Sequence, residues 1–242
     1  MPGYIDLHCH WVAGIDDGAR TAEEGLELLR RLKRLGYGQV IGTPHMRPGL
    51  FDNDRQDIVS SYEQMLPLVR SQGDAVPQVG LSSEHYFDDL VFGRLMGGEA
   101  LPYPGEKAVL IEFAAQALPA RLPDRLFDLR RKGLRPVVAH PERYAPVVRR
   151  PELMEDLVDR GTVLLMDVGA LAGKYGRASR KCAEQLLEAG LYYAVCSDAH
   201  RPEDVDEIAE GIARLKALEG EEEARFLLEE GPRAVLEGKV DL

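Results

Sequence analysis

Cysteine, histidine and basic residues are all in short supply in this 242-residue chain, which has three, six and thirty of them. Three cysteines, Cys9, Cys182 and Cys196, are too few and of the wrong parity for a disulfide framework, so a reducing, cytoplasmic setting is expected. No apolar run approaches the length needed to cross a bilayer, which argues against membrane insertion. MPGYIDLHCH has neither the basic start nor the apolar stretch of a secretion signal. Lys and Arg are outnumbered by 41 Asp and Glu, leaving a net charge of −11. Nucleic acid and anionic membrane surfaces are therefore not expected partners. A phosphorylated substrate would also be repelled unless a local positive centre captured it, and bound metal is one such centre. There is no internal repeat, low-complexity tract or linker, and an apolar content of 45% suffices for a sizeable core. One domain over residues 1–242 is expected.

What is present alternates. The β-rich runs YIDLHCH, QVIGTPH, PQVGLSSE, AVLIEF, RPVVAHP, TVLLMDV and YYAVCSD are mostly followed by helical stretches. Thr21 and Glu24 form a capping box, Leu28, Leu29, Leu32 and Leu35 make one apolar stripe, and Gly36 ends that helix. Pro202 opens another, with Val205, Ile208, Ile212 and Leu215 at helical spacing. The stretch GRLMGGEALPYPG (93–105) reads as a loop. Seven strands alternating with helices imply a parallel sheet, and at this length a closed or nearly closed α/β barrel is favoured over an open one.

The scarce histidines are not scattered. His8 and His10 end the first run and lie two residues apart, on one side of an extended strand. His45 ends the second run, Glu84 the third, Glu112 the fourth and His140 the fifth, and Asp198 with His200 ends the seventh. Taken singly, each has an ordinary alternative: Glu112 as a solvated strand end, His140 as a satisfied core histidine. Parallel strands, however, present their carboxyl ends on one rim, and several buried carboxylates there repel one another unless cations neutralise them. The convergence indicates a metal cluster. His85 points away from Glu84 and reads as structural or surface, and Asp16 reads as a turn residue. Arg143, close to His140, is either a solvated loop residue or a donor of two hydrogen bonds to a phosphoryl group.

The motifs DLHCH, GIDDGA, TPH, SSE, LIEF, AHPERY and SDAH, in that order, resemble the PHP (polymerase and histidinol phosphatase) metallophosphoesterases. More narrowly, they resemble the bacterial PHP-type protein-tyrosine phosphatases of capsule and exopolysaccharide systems. The resemblance runs from Ile5 to Arg201. It implies a distorted seven-stranded, TIM-like α/β barrel with three divalent transition-metal ions at its carboxyl rim. By position, His8, His10, Glu84 and Asp198 would hold the first; Glu84 would bridge to a second held by Glu112 and His140; Asp17, His45 and His200 would hold the third. Mixed imidazole and carboxylate ligands suit Mn, Fe, Co or Zn, with Mn favoured. The chain departs from the family pattern at Trp11–Ala13, Met46 and Met166–Asp167, none of them an assigned ligand.

The chemistry expected is attack on phosphorus by a hydroxide bridging two metals, with Arg143 and Arg201 clamping the equatorial oxygens. The substrate implied is phosphotyrosine on protein, the tail of a bacterial tyrosine kinase controlling polysaccharide synthesis or export. A phenolate leaves more easily than an alkoxide, so a dedicated general acid is less necessary. A cysteine phosphatase needs Cys, five residues and Arg; the corresponding positions are Ile15, Glu188 and Pro202, so all three cysteines fail. Two further readings stay open: a small-molecule branch typified by histidinol-phosphate phosphatase, and a non-catalytic interaction module. The second expects missing ligands, whereas here the set is complete.

Overall fold

The computed structural model describes residues 3–240. The helix Ala22–Leu35 shows how local signals become structure. Thr21 accepts from the Glu24 amide, while the Glu24 carboxylate accepts from Arg20 N, one residue before the position a capping box would use. Gly36 ends the helix at φ 115°, and Leu28, Leu29 and Leu32 are fully buried. The second expected helix begins at Asp204, two residues past Pro202, and buries Val205, Ile208, Ile212 and Leu215. Of the expected loop 93–105, Gly93–Gly97 is instead the end of the helix Asp89–Gly97.

The strands are β1 (Tyr4–Cys9), β2 (Tyr37–Gly42), β3 (His45–Met46), β4 (Gln78–Leu81) and β5 (Glu84–Tyr86), followed by β6 (Ala108–Glu112), β7 (Arg135–Ala139), β8 (Val163–Asp167) and β9 (Tyr192–Cys196). All ladders are parallel. They form two sheets, β1-β2-β4 and β3-β5-β6-β7-β8-β9, not one closed barrel of seven strands. The second and third β-rich runs each break once, at Thr43–Pro44 and at Ser82–Ser83, and pairing then resumes in the same register. The cause is local. Pro44 has no N–H to donate, its carbonyl accepts from Ser83 Oγ, and Ser82 Oγ bonds Leu101 O. At the other end β9 meets β1 through a single bridge, Cys9 to Ala199, with Asp198 N donating to His8 O and His10 N to Ala199 O.

Strands β6 to β8 are apolar on both faces, as expected where helices cover a parallel sheet. Val109 and Ile111 belong to a cluster that includes Leu122, Leu126 and Leu129 of the helix Leu122–Arg131. Ala108 and Leu110 belong to a second cluster with Val137, Ala139, Val163 and Leu165. Period-two alternation therefore carries Glu112 onto the Ala108–Leu110 side. Among the described residues no helix is long and apolar enough to cross a membrane.

Candidate metal centre

The nine expected ligands come together. His8 lies in β1, and His10 and Asp17 follow it. His45 opens β3, Glu84 opens β5 and Glu112 ends β6; His140 follows β7, and Asp198 and His200 follow β9. Two of them take a backbone conformation that L-residues rarely adopt, His140 at φ 36° and Asp198 at φ 44°. Each costs on the order of 1–2 kcal/mol and turns the chain sharply at the end of its strand, a cost typically found at functional sites.

Glu84 is at the middle. Its Oε1 lies 3.3 Å from His8 Nε2 and 3.0 Å from His140 Nε2; its Oε2 lies 3.5 Å from His10 Nε2 and 3.0 Å from His45 Nδ1. Asp198 Oδ1 is 3.1 Å from His8 Nε2 and 3.5 Å from His10 Nε2. Asp17 Oδ1 lies 3.4 Å from His45 Nε2 and 3.5 Å from His200 Nε2. Yet His8 Nε2, His10 Nε2, His45 Nδ1, Glu112 Oε2 and Asp198 Oδ1 are buried with no hydrogen-bond partner. Close approach without alignment is what donors aimed at a common centre show. At a metal–ligand bond of about 2.1 Å, neighbouring donors are about 3.0–3.4 Å apart, so the residues fit divalent cations. The donors form four overlapping sets: His10, Asp17, His45 and His200; His8, His10 and Asp198; His8, Glu84 and His140; and His45, Glu84 and Glu112. Within these overlapping sets Glu112 is grouped with His45 and Glu84, and His140 with His8 and Glu84.

The electrostatics agree. Burial raises the Glu112 carboxyl, and repulsion from Glu84 raises it further, to about 7. Burial and then Arg143 push His140 down to about 4. Burial opposes charge on His8, but Glu84 and Asp198 overcome it and raise its pKa to about 9. Burial likewise opposes charge on Glu84 and Asp198, and the facing histidines hold both well below the carboxylate range. Buried negative charge draws protons onto His8 and Glu112, positions that cations would take, while His140 is held neutral.

Several supporting residues were not legible in the sequence. Asp16, expected only to turn the chain, accepts from His10 Nδ1 at 2.8 Å and from His45 N at 3.2 Å. It orients one imidazole and anchors the strand of another, as outer carboxylates of metal sites do. Thr43 Oγ1 does the same for His8, 2.6 Å from its Nδ1. Gly18 lies so close that a Cβ would come within 2.1 Å of His10 O, which explains the second glycine of GIDDGA. Glu142 is buried, accepting from Asp167 N and Tyr192 OH, and burial followed by Asp167 raises it to about 8. An HPE tripeptide carries no signal that would separate this from a solvated loop.

Arg143 lies at the edge of the cluster, with Nη1 2.5 Å from Asp198 Oδ2 and the guanidinium 4.5 Å from the centre of the Tyr175 ring. Arg201 does not join it. Its guanidinium donates to the carbonyls of Gly18 and His200 and faces Glu24 at 3.6 Å. His85 is structural, donating from Nδ1 to Leu110 O and accepting from Leu101 N. All three cysteines are buried; burial keeps Cys9 and Cys196 protonated and pushes Cys182 up to about 12.

The fold and the site together define an α/β protein of parallel strands with a preassembled candidate metal centre at the strand ends. The chain belongs to the CpsB/CapC family of capsular polysaccharide synthesis, whose profile matches residues 4–237. It is 31% identical over 204 residues to the tyrosine-protein phosphatase YwqE of Bacillus subtilis, covering 81% of this chain and 77% of that one. Against the tyrosine-protein phosphatase CpsB of Streptococcus pneumoniae it is 25% identical over 241 residues, covering 96% and 98%. A crystal structure from work on YwqE and CpsB, described as unique metal-dependent tyrosine phosphatases, matches with a TM-score of 0.89 at 29% identity. It covers 98% of this chain and 96% of that one. The phosphotriesterase homology protein of Escherichia coli, at 11% identity and a TM-score of 0.55 over 97% and 99%, shares the fold alone.

Proposed function

We propose that this chain is a metal-dependent phosphatase acting on phosphotyrosine in protein, as its named relatives are, and that its substrate is the phosphorylated tail of a bacterial tyrosine kinase controlling polysaccharide synthesis or export. The observation that carries the reading is the convergence of nine His, Asp and Glu donors with Arg143 at their edge. Three divalent ions, Mn first among them, fit this donor set. We read the two sheets as one distorted barrel of seven strands, each broken run counting once, and residues 1–242 as one catalytic unit. Buried free cysteines support a reducing, cytoplasmic setting.

Divalent cations there would supply positive charge against the phosphoryl oxygens and acidify water near neutral pH. The chain's own residues do the rest. Glu84 ties four histidines to one point, Asp16 and Thr43 fix the imidazoles of His10 and His8, and Arg143 offers a planar fork to two phosphoryl oxygens. Arg201, turned to Gly18 O and Glu24, braces the loop that carries Asp17. The test is direct. Chelated protein should be inactive and Mn should restore turnover, with phosphotyrosine peptide preferred over phosphoserine peptide and histidinol phosphate. A preference for histidinol phosphate would overturn the assignment.

A further inference from the structure

Arg201 donates to Gly18 O and His200 O and faces Glu24, and Arg47 lies 3.9 Å from Glu112 Oε2, whereas Arg143 is held by Asp198. Lys174 is beside Arg143. The Lys174 ammonium lies 5.2 Å from the centre of the Tyr175 ring, the ring on which the Arg143 guanidinium sits at 4.5 Å. Its nearest acceptors are the backbone carbonyl of Asp198 at 3.4 Å and Asp167 Oδ2 at 3.6 Å. Both are long for an ammonium with three donors. Asp167 has better partners already, Gly169 N at 2.8 Å and Tyr175 OH at 2.6 Å. Lys174 is therefore not needed to complete that carboxylate.

Two like charges on one ring repel, and here both stay partly open to solvent, 30% for Arg143 and 17% for Lys174. Separate carboxylates offset this, Asp198 Oδ2 at 2.5 Å from Arg143 and Asp167 Oδ2 at 3.6 Å from Lys174. The aliphatic stem of Lys174 is laid down over Gly169, where a Cβ would come 3.0 Å from its Cδ. A chain with a net charge of −11 can bind a phosphate dianion only through a local positive centre.

We propose that Lys174 is a second phosphate-binding residue, acting beside Arg143 on the phosphoryl group. The assignment rests on the phosphatase reading above. Arg143 contributes a fork and Lys174 a point charge, both packed against the Tyr175 ring.

The experiment measures binding of inorganic phosphate to Mn-loaded protein by calorimetry, with metal content and thermal midpoint recorded for each variant. K174M should weaken phosphate about tenfold, the low end for a charge-assisted hydrogen bond at a partly exposed site, with metal content unchanged. K174R should recover most of that loss, and on phosphotyrosine peptide K174M should raise KM more than it lowers kcat. K181M, removing an exposed lysine on the helix Gly176–Glu188, controls for net charge and should bind phosphate as the wild type does. Unchanged phosphate binding in K174M overturns this assignment alone. So does a loss that follows metal content or stability and is not rescued by K174R, which would make Lys174 a counter-ion of Asp167. Failure of the wild-type protein to bind phosphate overturns the phosphatase reading as well.

Discussion

Replacing Glu84 by Gln keeps the shape of the side chain and removes one charge from the middle of the cluster. Four imidazoles lie 3.0–3.5 Å from its two oxygens, and the residue is 1% exposed, so no water can stand in for it without rearrangement. Loss of an outer partner of a metal ligand typically costs 10–100-fold in metal affinity, so about 100-fold is a floor for a group at the centre. With Mn at about 100 times the wild-type Kd, binding stabilises the wild-type fold by about 2.7 kcal/mol; a 100-fold weaker site retains about 0.4 kcal/mol. For a chain of this size 1 kcal/mol corresponds to about 2–4 °C. Mn should therefore raise Tm by about 5–11 °C in the wild type and by about 1 °C in E84Q. Measuring each protein with and without Mn cancels any effect of the substitution on the metal-free fold. An E84Q protein with an unchanged metal count and an unchanged Mn-dependent shift would refute the idea that this carboxylate organises the centre.

Arg143→Ala should lower kcat/KM on phosphotyrosine peptide by about ten- to a hundredfold, the worth of a charge-assisted hydrogen-bond pair, with metal content unaltered; steady-state kinetics beside elemental analysis checks this. Asp16→Asn keeps the size of the residue but weakens its hold on His10 Nδ1, so Mn affinity should fall by about 10–100-fold while the metal-free Tm changes little; equal Mn titrations of both proteins would remove Asp16 from the site. The triple variant Cys9→Ala, Cys182→Ala, Cys196→Ala should keep turnover if it folds, because burial holds Cys182 near 12 and the other two thiols well above their usual range, so that no thiolate exists at neutral pH. For the same reason alkylating reagents should label the native protein slowly. Loss of turnover in a well-folded triple variant would restore a thiol mechanism.

How much was legible depends on the distance over which each feature is decided. The helix Ala22–Leu35 was readable because its cap, stripe and terminal glycine lie within sixteen residues of one another. The strand runs were readable for the same reason, and the ligands followed because parallel strands bring their carboxyl ends to one rim whatever the intervening sequence. Cysteine chemistry was excluded by spacing alone. The breaks at Thr43–Pro44 and Ser82–Ser83 were not foreseen, because they depend on serine hydroxyls meeting the carbonyls of Pro44 and Leu101, 39 and 19 positions away. Asp16 was read as a turn residue, yet its role comes from His45 N, 29 positions away. Arg201 was expected at the phosphate, and its contact with the carbonyl of Gly18, 183 positions earlier, could not be read from the sequence. The meeting of Arg143 and Lys174 on one tyrosine ring was likewise decided only by packing. Residue type and short-range period state which groups are available and on which side of an element they emerge. Where a long polar side chain ends is decided by whichever buried partner the fold brings within reach, since leaving either group unpaired costs about 1–3 kcal/mol.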